Sequence, residues 1–176
     1  MVVDFDDVWP GNDGLDNLQR LKDANPAFKV TLFAVPGRGS DDYWDSFPDW
    51  CELAVHGWLH PDPYECANWS YGRMMHLVTE KPDAFVDGFK APGWQISAGC
   101  YEILADCGWW VADHPDNDQR RPRGLRTHVL GSGDHLHGHI GWNGSGNDLA
   151  ANFDAMRARV EAAESFEFVS EAVTAW

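Results

Sequence analysis

The hydrophobic positions fall into short apolar runs that alternate with stretches of helical spacing. Runs at residues 2–5, 29–35, 52–55, 86–89 and 109–112 read as strands, and the run at 29–35 ends at Pro36-Gly37. Between them, Leu15, Leu18 and Leu21 predict a helix, with Asp13 as its N-cap and Pro26 beyond its end. Residues 41–47 predict a short helix, and residues 70–78, with Met74, Met75 and Val78, a longer one. Ser97 caps a helix carrying Tyr101 and Leu104, which Gly108 ends. Residues 114–126 are polar and contain proline, the pattern of one long loop. Further on, residues 127–130 and 135–140 read as strands. Leu149, Phe153, Met156 and Val160 mark an amphipathic helix, and alternation at residues 166–169 predicts a last short strand.

Strands that alternate with helices imply an α/β fold with a mostly parallel sheet. About seven such units can close into an irregular barrel or leave an open, doubly wound sheet. No repeat, linker or low-complexity tract divides the chain, so residues 1–176 are expected to form one domain.

The polar residues are informative by position. Asp6 and Asp7 follow the first strand, and His56 and His60 the third. Lys90, Pro92 and Trp94 follow the fourth, Asp113 the fifth, and His137 and His139 lie towards the end of a late strand. All are near the carboxyl ends of strands, the rim where α/β folds place their chemistry. His56 and His60 converge if the intervening segment curls into one helical turn. With Asp7 they make a two-histidine, one-carboxylate set with open coordination positions, suited to catalysis. His135, His137 and His139 alternate with Leu136 and Gly138, so a strand would present all three imidazoles on one side.

Composition narrows the partners. With 28 acidic against 13 basic residues the formal charge is −15, which opposes binding to nucleic acid or to an anionic membrane and favours a neutral substrate. No apolar run is long enough to span a bilayer, and the acidic start lacks the pattern of a secretory signal, so a cytoplasmic location or a mature fragment is expected. Cys51, Cys66, Cys100 and Cys107 form no CxxC pair and read as structural thiols. Tryptophan is unusually frequent, with ten in the chain, and it serves both to fill cores and to give sugar rings a flat apolar platform. Trp9, Trp58, Trp94 and Trp142 follow or lie within the rim motifs and are candidates for stacking on a sugar ring, whereas Trp109 and Trp110 read as core.

Taken in order, Asp4-Phe5-Asp6-Asp7, His56-Gly57-Trp58-Leu59-His60, Lys90-Ala91-Pro92-Gly93-Trp94, Trp110-Val111-Ala112-Asp113 and Leu136-His137-Gly138-His139 resemble the motifs of the polysaccharide deacetylases, carbohydrate esterase family 4. The likeness spans nearly the whole chain. It implies a distorted, incomplete (β/α) barrel of about seven strands, with Asp6 as general base and Asp7, His56 and His60 holding a divalent metal. Zinc is expected, though Co2+, Ni2+ or Fe2+ fit the same ligands. It further implies His137, or failing that His139, as general acid, with Asp113 orienting it. Lys90, Pro92, Trp94, Trp58 and Trp142 then lie on the substrate side. The implied reaction removes N- or O-acetyl groups from a glycan such as chitooligosaccharide or peptidoglycan and releases acetate. Asp4, Lys90 and Gly57 depart from the family's Thr, Arg, and Ser or Thr. Lysine keeps the charge of arginine but not its bidentate fork. Two alternatives stand beside this reading: an amidohydrolase acting on a small non-sugar amide, and a metal- or sugar-binding module without turnover. The sequence does not specify an oligomeric state.

Overall fold

The computed structural model describes residues 1–141 and 146–175. Its sheet runs β7-β1-β2-β3-β4-β5-β6-β8. The seven strands from β7 to β6 are parallel, and β8 (Thr174–Ala175) pairs antiparallel with β6 at the far edge. The strands are β1 (Val2–Val8), β2 (Val30–Ala34), β3 (Cys51–Val55), β4 (Phe85–Lys90), β5 (Trp110–Asp113), β6 (Arg126–Val129) and β7 (His135–His139). The sheet curls without closing, giving an incomplete α/β barrel, as the family resemblance implies.

The side-chain alternation of the strands divides the interior. On the convex face Val3, Phe5, Leu32, Leu53, Val55, Phe89 and Val111 form the main core. The helices that cover it are α1 (Leu15–Ala24), α2 (Asp41–Trp44), α3 (Tyr71–Glu80), α4 (Ala98–Asp106) and α5 (Phe153–Ala162). The concave face holds a smaller apolar cluster of Val2, Phe33, Ala54, Trp110, Ala112 and Val169. Above it lie buried Asp4, Asp6, His56 and Lys90. Polar groups are tolerated there only because they hydrogen-bond to one another.

Three local expectations change. The first turn of α1 is entered through Gly14 in the left-handed region, with Asp13 accepting from the Leu15 N–H at 3.3 Å instead of capping the helix. Residues 114–126 are not one loop. A 3-10 helix spans Pro115–Arg120, with the His114 imidazole accepting the Asp116 N–H, and β6 begins at Arg126. Residues 166–169 make only a single bridge, Val2 to Glu167, before α6 (Val169–Ala172) begins. The strand-like alternation loses because the Phe168 N–H is taken by Glu171 and the Val169 N–H by Thr31 Oγ1, at 2.8 and 2.9 Å. Ser170 also bonds to the Glu52 carboxylate, seating α6 against the concave face. All four cysteines are free, and among the described residues no helix is long and apolar enough to cross a membrane.

Candidate functional site

In a regular strand Asp6 and Asp7 would point to opposite faces. Here the pairing of β1 with β2 breaks register between Phe5 and Val8, and Asp7 has φ 69. The irregularity turns Asp7 back, so that two consecutive carboxylates reach one cavity. A left-handed backbone at a non-glycine residue costs energy and persists where surroundings enforce it. The Asn12 side chain contributes by donating to the Asp7 carbonyl at 2.6 Å.

His56 and His60 also reach this cavity, though not by a helical turn. Gly57 has φ 69 and His60 φ 47, and the segment between the histidines is irregular. His56 Nδ1 lies 2.9 Å from the Lys90 carbonyl, which can only accept, so Nδ1 carries the proton and Nε2 offers its lone pair. His56 Nε2 and His60 Nε2 stand 3.6 and 3.2 Å from Asp7 Oδ1. Asp7 Oδ1 is buried yet makes no hydrogen bond of good geometry to either. Three donor atoms thus face one point with an unsatisfied carboxylate oxygen among them, the arrangement a divalent cation completes. Burial opposes ionisation of Asp7, but the imidazoles of His60 and His56 bring its pKa down to about 2. Burial holds the pKa of His56 below its ordinary value. His60 is raised, since the adjacent Asp7 carboxylate outweighs its burial.

Beside this set, Lys90 Nζ is 2.7 Å from Asp6 Oδ1 and 2.9 Å from Asp4 Oδ1. Burial alone would lower the lysine pKa, but the two carboxylates raise it, and the ammonium is held between them. Asp4 resists its own burial likewise. Lys90, His137 and His135 keep its carboxyl well below the usual range. Asp6 Oδ2 faces the opposite way, 3.9 Å from both His56 Nε2 and His139 Nε2. Asp6, His137 and His139 also offer converging donor atoms, but the Lys90 ammonium, 3.3 Å from His137 Nδ1, opposes a second cation there.

The late histidines separate by their partners. Parallel pairing sets His137 opposite Asp4 and His139 opposite Asp6. His137 Nδ1 bonds to Asp4 Oδ1 at 2.8 Å, and His135 Nε2 contacts the other oxygen of Asp4. His139 Nδ1 donates to Asn147 Oδ1 at 2.8 Å, leaving Nε2 towards the cavity. That cavity has a volume of about 280 Å³ and is lined by Asp6, Asp7, His56, His60, Trp94 and His139, among others. His137 is not among the lining residues. The sequence pattern ranks His137 first; the geometry brings His139 to the site.

Asp113 is occupied elsewhere. It accepts from Tyr101 Oη (2.6 Å), Asn117 Nδ2 (2.7 Å), the His114 N–H (2.8 Å) and Arg121 Nε (3.0 Å). Asn117 in turn donates to the Trp94 carbonyl at 3.1 Å, so Asp113 braces the loop behind Trp94, and the carboxylate on His137 is Asp4. Pro92 is buried and opens the 3-10 turn that carries Trp94. Trp58 is half-buried and packs on His76 at 5.4 Å, off the cavity wall. Trp109 and Trp110 are core, and Trp142 lies outside the described residues. No local pattern in the sequence gives Asp4 a role. What points to it is its place two residues before Asp6, on the same face of β1.

No family model and no curated protein matches the sequence. Solved structures do match the fold. A family 4 carbohydrate esterase from Streptomyces lividans in complex with acetate superposes with a TM-score of 0.63 at 17% identity, covering 94% of this chain and 89% of that one. A family 4 acetyl xylan esterase from Clostridium thermocellum in complex with a cobalt ion gives 0.52 at 15% identity, covering 96% and 86%. A family 4 pseudoenzyme from Bacillus anthracis gives 0.58 at 14% identity, covering 97% of this chain and 63% of that one. The chain has the fold of the family 4 carbohydrate esterases.

Proposed function

We propose that the protein is a metal-dependent hydrolase that removes acetyl groups from a carbohydrate. The observation that carries this reading is the convergence of Asp7, His56 and His60 on an unsatisfied carboxylate oxygen, with a second carboxylate, Asp6, beside it in the same cavity. Asp7, His56 and His60 would hold the ion, zinc or another divalent metal of similar ligand preference. Bound there, a divalent ion supplies a Lewis acid for the acetyl carbonyl and eases ionisation of the attacking water.

The chain's own residues supply the rest. Lys90 fixes Asp6 Oδ1 and leaves Oδ2 turned to His56 and His139. From there Asp6 takes a proton from the water whose oxygen attacks the acetyl carbon. His139, oriented by Asn147 through Nδ1, donates in its protonated form from Nε2 to the departing nitrogen or oxygen as that bond to carbon breaks. Acetate and a free amine or hydroxyl result. Trp94 offers a flat apolar wall for a sugar ring. The formal charge of −15 suits a neutral glycan.

The fold likeness to two esterases supports this reading, and the likeness to a pseudoenzyme makes turnover the point to test. The test is acetate release from N-acetylated chitooligosaccharides, peptidoglycan fragments and acetylated xylan, with and without a chelator. Chelator-sensitive release that Asp6→Asn abolishes is expected, because the amide keeps the shape but cannot accept the proton. Absence of release from all three in metal-loaded protein contradicts the carbohydrate reading. Release from a small amide instead would select the amidohydrolase alternative. The binding-module alternative is favoured by the hold of Lys90 on Asp6, and predicts metal and glycan binding without acetate.

A further inference from the structure

The segment between the two candidate metal histidines has no helix or strand to hold it, and side chains grip it from both sides. The backbone N–H groups of Trp58, Leu59 and His60 all donate to one carboxylate, Glu65, each at 3.0 Å. On the other side Arg38 donates from Nε to the Leu59 carbonyl at 2.6 Å and from Nη2 to the His60 carbonyl at 3.0 Å. Its guanidinium lies 4.3 Å over the Trp9 ring. The Gly37 N–H bonds to the Trp58 carbonyl at 2.9 Å.

Consecutive N–H groups converging on one anion form a nest, and bonds to an ionised acceptor are stronger than neutral ones. The nest requires Gly57. A Cβ there would stand 2.2 Å from Glu65 Oε2, and the φ of +69 strains any other residue. Gly57 is thus more than the loss of a hydroxyl: it makes room for a carboxylate that ties three successive peptides.

We infer that Glu65 is a positioning residue for the metal centre: it fixes the path of the chain from His56 to His60 and so the direction in which His60 Nε2 faces Asp7. The inference rests on the metal reading above. Partners that orient first ligands typically contribute about 10- to 100-fold to metal affinity.

The experiment measures zinc affinity by competition with a chromophoric chelator in wild type, Glu65→Gln and Glu65→Ala. It adds the unfolding temperature of each metal-free protein and amide hydrogen exchange at Trp58, Leu59 and His60. Zinc affinity of the folded protein is expected to fall by about 10- to 100-fold in Glu65→Ala and by less in Glu65→Gln, which keeps one acceptor oxygen. Exchange at the same three amides should rise in the same order. If Glu65→Ala does not fold, Glu65→Gln decides. A purely structural role would lower the metal-free unfolding temperature and leave zinc affinity at the wild-type value, and that result overturns the inference. Zinc binding absent in wild type as well overturns the metal reading itself, and this inference with it.

Discussion

Lys90 Nζ lies 2.7 Å from Asp6 Oδ1 with both side chains buried, joining the end of β4 to the end of β1 across the concave face. Because Asp4 shares the ammonium, removing it strands two carboxylates in the interior. Lys90→Met is therefore expected to destabilise the protein by about 3–5 kcal/mol, the range for an uncompensated buried charge. Adding Asp4→Asn should recover part of that loss. Denaturant unfolding of the single and double variants measures both. A Lys90→Met protein as stable as wild type would mean that the carboxylates find another counter-charge or take up protons at little cost.

The two late histidines should separate kinetically. His139 lines the cavity, whereas His137 is turned to Asp4 and Lys90. His139→Ala is expected to lower turnover by about 10²- to 10⁴-fold with metal retained, and His137→Ala by less. Acetate release together with metal content reads the outcome. The reverse order would place the proton donor at His137.

His128 gives a pH dependence. Its pKa is held at about 4, below the ordinary 6.5, by burial and then by the charge of His135, with Lys90 adding and Asp4 opposing. The unfolded chain accepts a proton that the fold refuses, so this contribution to stability is present above pH 6.5 and is lost as pH falls towards about 4. His128→Gln should lose less unfolding temperature than wild type across that window, with the two curves running parallel above it. Parallel curves throughout would show that His128 is no source of acid lability.

Much of the fold was legible because its signals are local. The apolar runs of β2, β3 and β5 and the helical spacing of Leu15, Leu18 and Leu21 each lie within a dozen residues, and the structure places an element at each. The pair Asp6-Asp7 and the spacing of His56 and His60 were visible for the same reason. What escaped depends on contacts distant in sequence. The choice between His137 and His139 needs the register of β7 on β1, which no local pattern encodes. Asp4 acquires its partners from residues 86 and 133 positions away. Asp113 looked like a site carboxylate by its place after β5, but Tyr101 and Arg121 occupy it. Residues 166–169 alternate like a strand, yet Thr31 and Glu52 draw the backbone that follows into α6.

The central claim is that Asp7, His56 and His60 form a metal site, and metal content measured on the purified protein tests it most directly. About one divalent ion per chain is expected in wild type and in His139→Ala, and little in His56→Ala or His60→Ala, since losing one of three protein ligands weakens the site severely. A wild-type protein that binds no divalent ion, or histidine variants that bind as much as wild type, would contradict the account.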